Sequence, residues 1–420
     1  MIDVEPDMIS GLPGNVIDVI LSYLPIREAV RTSVLSKQWK NSWHTLPNLV
    51  FDGECMAPQD PSVIESKFFR MVYNVLLNHS GPINLFEIEY YDDISQNLMN
   101  DIDQWILHLA GRSIKELSLL IYTEDEKEFY KIPWCLFSCQ CLHRLKLNYC
   151  WLKPPKMFEG FKHLKSLYLT MIRVDQNALE NLISSCPLLE ELTLMDIDDL
   201  TEITIHAPNL NYFYFWGNFE SITFDNTLQL ATISINLFKD LDSESNQSRL
   251  HGYFSNLLKF FDHRPHIQSL TIGAYFLKYL TVGVVPIKLP TPCNNLRSLS
   301  LCINFYDLGQ ISAAICLLRS SPNLQNLEIF AKLNVSLELG TYCWEDKSFR
   351  PDTPIPVRQV TLHWISGIQP ELDFIKFLLL YSPVLEKMIV KHLHVVRPEL
   401  VTELIRFKRL SEKAEVIYSS

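Results

Sequence analysis

The sequence predicts a mixed α/β repeat protein: an N-terminal three-helix module, then an irregular solenoid with a strand and a helix per repeat, closed by a C-terminal capping region. Three observations carry this expectation. The chain has 420 residues, more than one hydrophobic core ordinarily fills, so two or more packed units are expected. Residues 12–24 carry an apolar stripe of helical period. From about residue 110 onward, one pattern, apolar-x-x-apolar-x-apolar, recurs eleven times.

Composition narrows the function classes. An apolar fraction of 47% with 20% charged residues is that of a folded chain, not a disordered one. A formal charge of −11 argues against nucleic acid, whose phosphates call for a basic stripe. The densest basic cluster, Arg406-Phe-Lys408-Arg409, is balanced by Glu403, Glu412 and Glu415. The longest apolar stretch, Phe377 to Tyr381, is far below the ~20 residues of a membrane span. The opening Met-Ile-Asp-Val-Glu has no basic and apolar leader, so the expected compartment is the reducing cytoplasm or nucleus. The sequons at Asn78, Asn246 and Asn334 are then chance matches. Ten cysteines include no CxxC pair. Cys135, Cys139, Cys141 and His143 come nearest to a metal spacing, and buried thiols are the expected reading.

In the first fifty residues, Pro13, Val16, Ile17, Ile20, Leu21 and Leu24 follow i, i+3, i+4, i+7, i+8, i+11, which is one helical face. Pro13 suits a first helical turn. Pro25 ends that helix and starts a second through Ile26, Ala29 and Val30. Ser36 is placed to cap a third, with Trp39 and Trp43 four residues apart on one face. So small a piece cannot bury its own apolar face. Periodicity leaves two readings open: a helical cap for the repeats, or a docking module for a partner.

The run Leu12-Pro13, Ile20-Leu21-Ser-Tyr-Leu24-Pro25, Arg31-Thr-Ser-Val-Leu35-Ser36-Lys-Gln-Trp39, then Trp43 and Leu46-Pro47, resembles the F-box. That resemblance covers about residues 7–50. It implies binding to a Skp1-like adaptor, through it a cullin, and membership of a ubiquitin ligase. The implied adaptor-binding residues are Leu12, Pro13, Val16, Ile20, Leu21, Leu24, Pro25, Trp39 and Trp43, some of which must instead hold the helices together.

The eleven apolar triads begin with Ile114/Leu117/Leu119 and end with Leu385/Met388/Val390, at intervals of 20 to 37 residues. Most intervals fall in or near the ~20–29 residues of leucine-rich repeats. Alternation within each triad is a strand signal, and Gln176–Ile183 and Leu308–Leu318 read as intervening helices. Pro187, Pro208, Pro265, Pro322 and Pro383 each precede a first triad position by two residues, where proline is expected to fix an extended approach to the strand. Regular repeats carry Asn or Cys three residues after the last strand leucine. Cys150 and Asn304 fit, but Ile172, Ile197, Tyr275, Lys332 and Ile365 do not, so an incomplete polar ladder and irregular curvature are expected.

The repeats resemble the divergent ones of plant F-box proteins. Trp364-Ile-Ser-Gly367 and the stretch Glu371 to Met388 resemble the FBD segment that ends many of them. Phe374, Ile375, Leu378 and Leu379 form one helix face there, and a capping repeat explains the segment. The expected organisation is residues 1–50 helical module, 51–110 linker and first solenoid unit, 111–354 repeats, and 355–420 FBD-like cap.

No phosphate-binding, dinucleotide, metalloprotease or nucleophile-elbow motif occurs. His392-Leu-His394 lacks a third ligand, so no metal and no cofactor are expected. Acidic groups recur at Glu87/Glu89/Asp92/Asp93, Glu124–Glu126, Asp196/Asp198/Asp199 and Asp240/Asp242/Glu244. They read as a solvated loop face, or as a field steering a substrate with a basic patch. Asp240–Arg249 reads as an exposed loop, and Asp242-Ser-Glu-Ser within it is a string that a kinase could phosphorylate, of a kind common in any sequence. The function these signals imply is a non-enzymatic substrate-recognition subunit that bridges an adaptor and an unidentified protein target, without nucleic acid or membrane. The alternative is a repeat scaffold or small-ligand sensor whose helices only cap the solenoid.

Overall fold

A computed structural model describes residues 9, 11–52, 61–93, 96–122, 129–198, 200–238, 256–262, 266–332, 354–393 and 404–419. The chain divides into two compact units, Met1–Asn209 with Phe224–Asn226, and Leu210–Thr223 with Thr227–Ser420.

The first unit opens with α1 (Gly14–Ser22) and α2 (Ile26–Arg31). Two 3-10 turns follow, Thr32–Val34 and Trp39–Thr45. The third helix is therefore not α-helical, and Ser36 does not cap it: its buried hydroxyl has no hydrogen-bond partner. Short 3-10 turns are a common way to close a small helical module. Then come β1 (Asn48–Phe51), α3 (Pro61–Asn78), β2 (Leu85–Asp93), α4 (Gln96–Ala110), β3 (Glu116–Tyr122), β4 (Arg144–Asn148), β5 (Ser166–Ile172), α5 (Gln176–Ser184) and β6 (Glu191–Ile197). These six strands form a parallel sheet in chain order.

The second unit repeats the scheme. It holds β7 (Tyr212–Gly217), β8 (Thr232–Leu237), α6 (Asn256–Phe261), β9 (Ser269–Ile272), α7 (Ala274–Leu280), β10 (Ser298–Ile303) and α8 (Leu308–Arg319). β11 (Asn326–Ala331), β12 (Gln359–Ile365), α9 (Gln369–Tyr381), β13 (Lys387–His392) and β14 (Glu415–Ser419) complete it. Its eight strands are again parallel and in chain order.

Each of the eleven triads lies at a strand, with all its side chains buried. Pairing stacks them in register: Leu117, Leu145, Leu167 and Leu192 in one unit, and Ile233, Leu270, Leu299, Leu327, Val360 and Met388 in the other. Two earlier strands belong to the same series. Leu46/Leu49/Phe51 and Ile83/Phe86/Ile88 carry the same pattern and the same burial, so the repeats begin at the helical module. β14 extends the sheet beyond β13.

Three of the five prolines act differently from expectation. The N–H of Leu189 donates to Cys186 O (3.1 Å), Leu324 to Ser321 O (3.3 Å) and Leu385 to Ser382 O (3.4 Å). Pro187, Pro322 and Pro383 thus sit at the second position of a β-turn, where their fixed φ is preorganised. Pro265 lies outside the described residues.

The strand ends share a second device. Tyr149, Met171, Asp196 and Trp364 have φ between 49° and 61°. Each immediately precedes Cys150, Ile172, Ile197 or Ile365, all of them buried. A left-handed residue there turns the following side chain inward, at a backbone cost non-glycine residues rarely accept. The Cys and Asn of that slot bond within their own repeat: Cys150 Sγ donates to Asn148 O (2.9 Å), and Asn304 Oδ1 accepts from Tyr306 N (3.1 Å).

The helical module is stitched to the first repeats. His79 Nε2–H donates to Leu46 O (2.8 Å), with Arg112 Nη1 3.4 Å from its Nδ1. Ser80 N and Gly81 N donate to His44 O. Burial, reinforced by the Arg112 charge, holds the His79 pKa below its ordinary value. The unfolded chain then binds this proton more readily than the folded one, so stability falls as pH drops below about 6.5. Urea midpoints at pH 5.5 should lie below those at pH 7.5, and His79→Gln should narrow that gap. Gly160 has φ +91°, and a Cβ there would stand 1.8 Å from Ser185 O. Gly160→Ala should cost roughly 3 kcal/mol in urea unfolding.

Candidate docking site

The helical module divides its apolar residues between two faces. Ile17 and Leu21, one helical turn apart on α1, are buried, as are Ile26, Ala29, Trp39, Trp43 and Leu46. Trp39 also anchors the chain ahead of α1: its indole N–H donates to Ile9 O (3.0 Å), and Gln38 Nε2 donates to Leu12 O (2.8 Å). Pro13 precedes α1 with φ −59° and ψ 146°, an extended residue that needs no N–H.

Of the nine residues singled out from sequence, Leu21, Trp39 and Trp43 lie in the module's own core. Leu12 and Leu24 are half-buried, and Pro13, Val16, Ile20 and Pro25 are exposed. The structure adds Val19, Tyr23, Val34 and Leu35 to that exposed set. Tyr23 and Val34 are 84% and 88% exposed, which no packing need of the module explains. Val34 and Leu35 were legible within the recognised motif. Tyr23 lies within that motif too but off the strict stripe, and Val19 falls outside both and carries no sequence signal.

This surface holds no reactive constellation; what it can do is bury apolar area against a partner. Other candidate chemistry is equally quiet. Burial pushes the thiol of Cys139 up to about 12, and those of Cys186, Cys293 and Cys316 up to about 11. Such thiols stay protonated and are poor nucleophiles. Cys135 is buried, whereas Cys141 is exposed, unlike the buried thiol expected. No group of three metal-ligating side chains occurs among the described residues. His394, Glu124–Glu126, Asp199 and Asp240–Arg249, with its Asp242-Ser-Glu-Ser, lie outside them. Among the described residues no helix is long and apolar enough to cross a membrane.

The outward strand positions form a second surface. In the second unit Ser234, Thr271, Ser300, Glu328 and Thr361 run across the sheet in register. His363 Nε2–H donates to Glu328 (2.9 Å), and its ring stacks on Phe330 at 4.3 Å. Lys332 lies 3.4 Å from the centre of the Tyr275 ring. Such a mixed aromatic and polar face is of the kind protein interfaces use.

At the C-terminal end, the Glu371 carboxylate accepts from the backbone N–H of Ser366 (2.9 Å), Gly367 (2.7 Å) and Ile368 (3.3 Å). It thereby caps α9, whose Phe374, Ile375, Leu378 and Leu379 are all buried. Burial holds its carboxyl above the ordinary range, and those donors offset only part of that rise.

A family profile described as "FBD-associated F-box protein At5g56370, LRR repeats" matches residues 102–329, and the F-box domain profile matches residues 9–51. The chain is 39% identical to the Arabidopsis thaliana F-box/FBD/LRR-repeat protein At1g13570, with 99% of each chain covered. It is 28% identical to F-box/LRR-repeat protein At4g14096 of the same plant, over 97% of this chain and 92% of the relative. With F-box/FBD/LRR-repeat protein At4g00160 the identity is 26%, over 77% of this chain and 72% of the relative.

Trp39→Ala should remove both a buried ring and the tie to Ile9, at about 3–5 kcal/mol. Tryptophan fluorescence during urea unfolding should show the helical module lost at lower urea than the repeats.

Proposed function

The chain belongs to the F-box/FBD/LRR-repeat protein family, and on that premise we propose that it is the substrate-recognition subunit of an SCF-type (Skp1-cullin-F-box) ubiquitin ligase. One observation carries the reading. The module's core is already closed by Ile17, Leu21, Trp39 and Trp43, yet Val16, Val19, Ile20, Tyr23, Val34 and Leu35 remain exposed around it. Six apolar side chains beyond the needs of the fold suit a groove on a Skp1-like adaptor. The repeats then hold a protein target, and the chain does no chemistry of its own. Ubiquitin reaches a lysine of that target because the assembly keeps the two close. In this reading the protein works in the cytoplasm or nucleus, and the FBD segment is the cap that ends the repeats.

The cap-only alternative draws on the stitching of the module to the first repeats through His79, Ser80 and Gly81. The two readings differ in what the exposed face does. Co-expressed with a Skp1-like adaptor, the chain should co-purify with it. Val34→Asp or Val19→Asp should weaken that complex roughly thirtyfold, a hot-spot loss of ~2 kcal/mol. Circular dichroism and melting should stay unchanged, because neither side chain packs inside. Failure of the unmutated chain to bind any such adaptor would leave only the cap.

A further inference from the structure

A cleft of about 390 Å³ opens between α2 and α3, in the first unit. Its floor is apolar: Trp43, Val30, Met71 and Val75. Arg27, Arg31, Lys67 and Arg70 stand around it. Trp43 and Val75 are otherwise buried, so the cleft is where the little that remains of their surface is reached. Arg31 is paired with Glu28 at 2.9 Å. Among the described residues, Arg27 and Arg70 have no carboxylate partner. Four cations around one cleft are notable in a chain whose formal charge is −11.

We propose that this cleft is a docking site for an acidic peptide segment of the target, one bulky apolar side chain on the Trp43 floor and flanking carboxylates on Arg27 and Arg70. The occupant follows from charge complementarity and from the floor together. A bare anion would leave the apolar floor wet, and an uncharged apolar segment would desolvate the arginines without pairing them. Arg is suited to this because its guanidinium receives a carboxylate through two parallel hydrogen bonds. Assignment to the target, not the adaptor, rests on the function proposed above. The α1 part of the adaptor face, with Val16, Val19, Ile20 and Tyr23, carries no cation, whereas six of the ten residues lining the cleft come from α3, a helix of the repeats. The polarity is opposite to what the acidic loops suggest: an acidic target segment, not a basic one.

The probe is a fluorescein-labelled peptide with a central Leu flanked by two Glu on each side, titrated by anisotropy into the full-length chain co-purified with its adaptor. Saturable binding is expected, weakened about tenfold by Arg70→Glu, by Arg27→Glu, or by raising salt from 50 to 300 mM. Arg70 is exposed and Arg27 half-buried, so Arg70→Glu in particular should leave the fold intact, which melting checks for both. A peptide with Ala in place of Leu should bind at least fivefold more weakly. Equal binding of the Ala peptide would reduce the cleft to a generic anion site and overturn the proposal. Indifference to both charge reversals would also overturn it. So would binding by the chain alone that the adaptor abolishes, because the adaptor would then be the occupant. Adaptor retention on the same resin reads the underlying function separately from the peptide result.

Discussion

Within each unit, the entry to successive strands is marked by a backbone carbonyl that accepts two N–H groups from the next repeat, ahead of the ladder that pairs them. Pro47 O takes Asn84 and Leu85, Asn84 O takes Lys115 and Glu116, Lys115 O takes His143 and Arg144, and His143 O takes Lys165 and Ser166. In the second unit the series runs through Asn211, Ala231, Gln268, Arg297, Gln325 and Arg358 to Glu386. These contacts fix the register at the start of each strand, and in a parallel sheet a slip of one residue would send every apolar side chain to the wrong face. Because only backbone atoms take part, the ladder is indifferent to which side chain stands there. Exposed pairs such as Glu116–Arg144, Lys165–Glu190 and Arg358–Glu386 sit beside it and add little.

That constraint explains why intervals from 20 to 37 residues are tolerated. Register is set where the strand begins, so the return path is free to vary in length and content, and closure entropy rises only slowly with loop length. The longest interval separates Leu230 from Ile267, and the next longest Leu324 from Val357. The strands on either side of each still pair in register.

The triads were legible because burial on one strand face imposes period two on the sequence, and each triad lies on its strand. The two strands ahead of residue 110 obey the same rule but are masked in the sequence, because the intervening α3 and α4 lengthen the period. The left-handed residues before Cys150, Ile172, Ile197 and Ile365 were not legible. None is a glycine, and the need for them comes from the inward side chain that follows, not from the residue itself. In the helical module the stripe was readable but its division was not. Val16 and Ile17 are chemically alike and adjacent, and only the position of Trp39 and Trp43 against α1 decides which one is covered.

The same stitching that seats the module gives the proposed recognition role its mechanical basis. Proximity catalysis gains only if the target is held at a defined place relative to the adaptor, since a loose joint spreads the reacting lysine over a larger volume. Here Leu46 O, His44 O and Pro47 O, at the end of the module, accept from His79, Ser80, Gly81, Asn84 and Leu85 at the start of the repeats. Thr45 packs so closely on Gly81 that a Cβ there would lie 2.8 Å from its Cα. A junction built from backbone bonds, one buried histidine ring and a glycine contact has few soft torsions. The exposed apolar face of α1 and the cation-lined cleft of α2 and α3 are therefore carried on one rigid part of the first unit, and a partner on one would be positioned relative to a partner on the other.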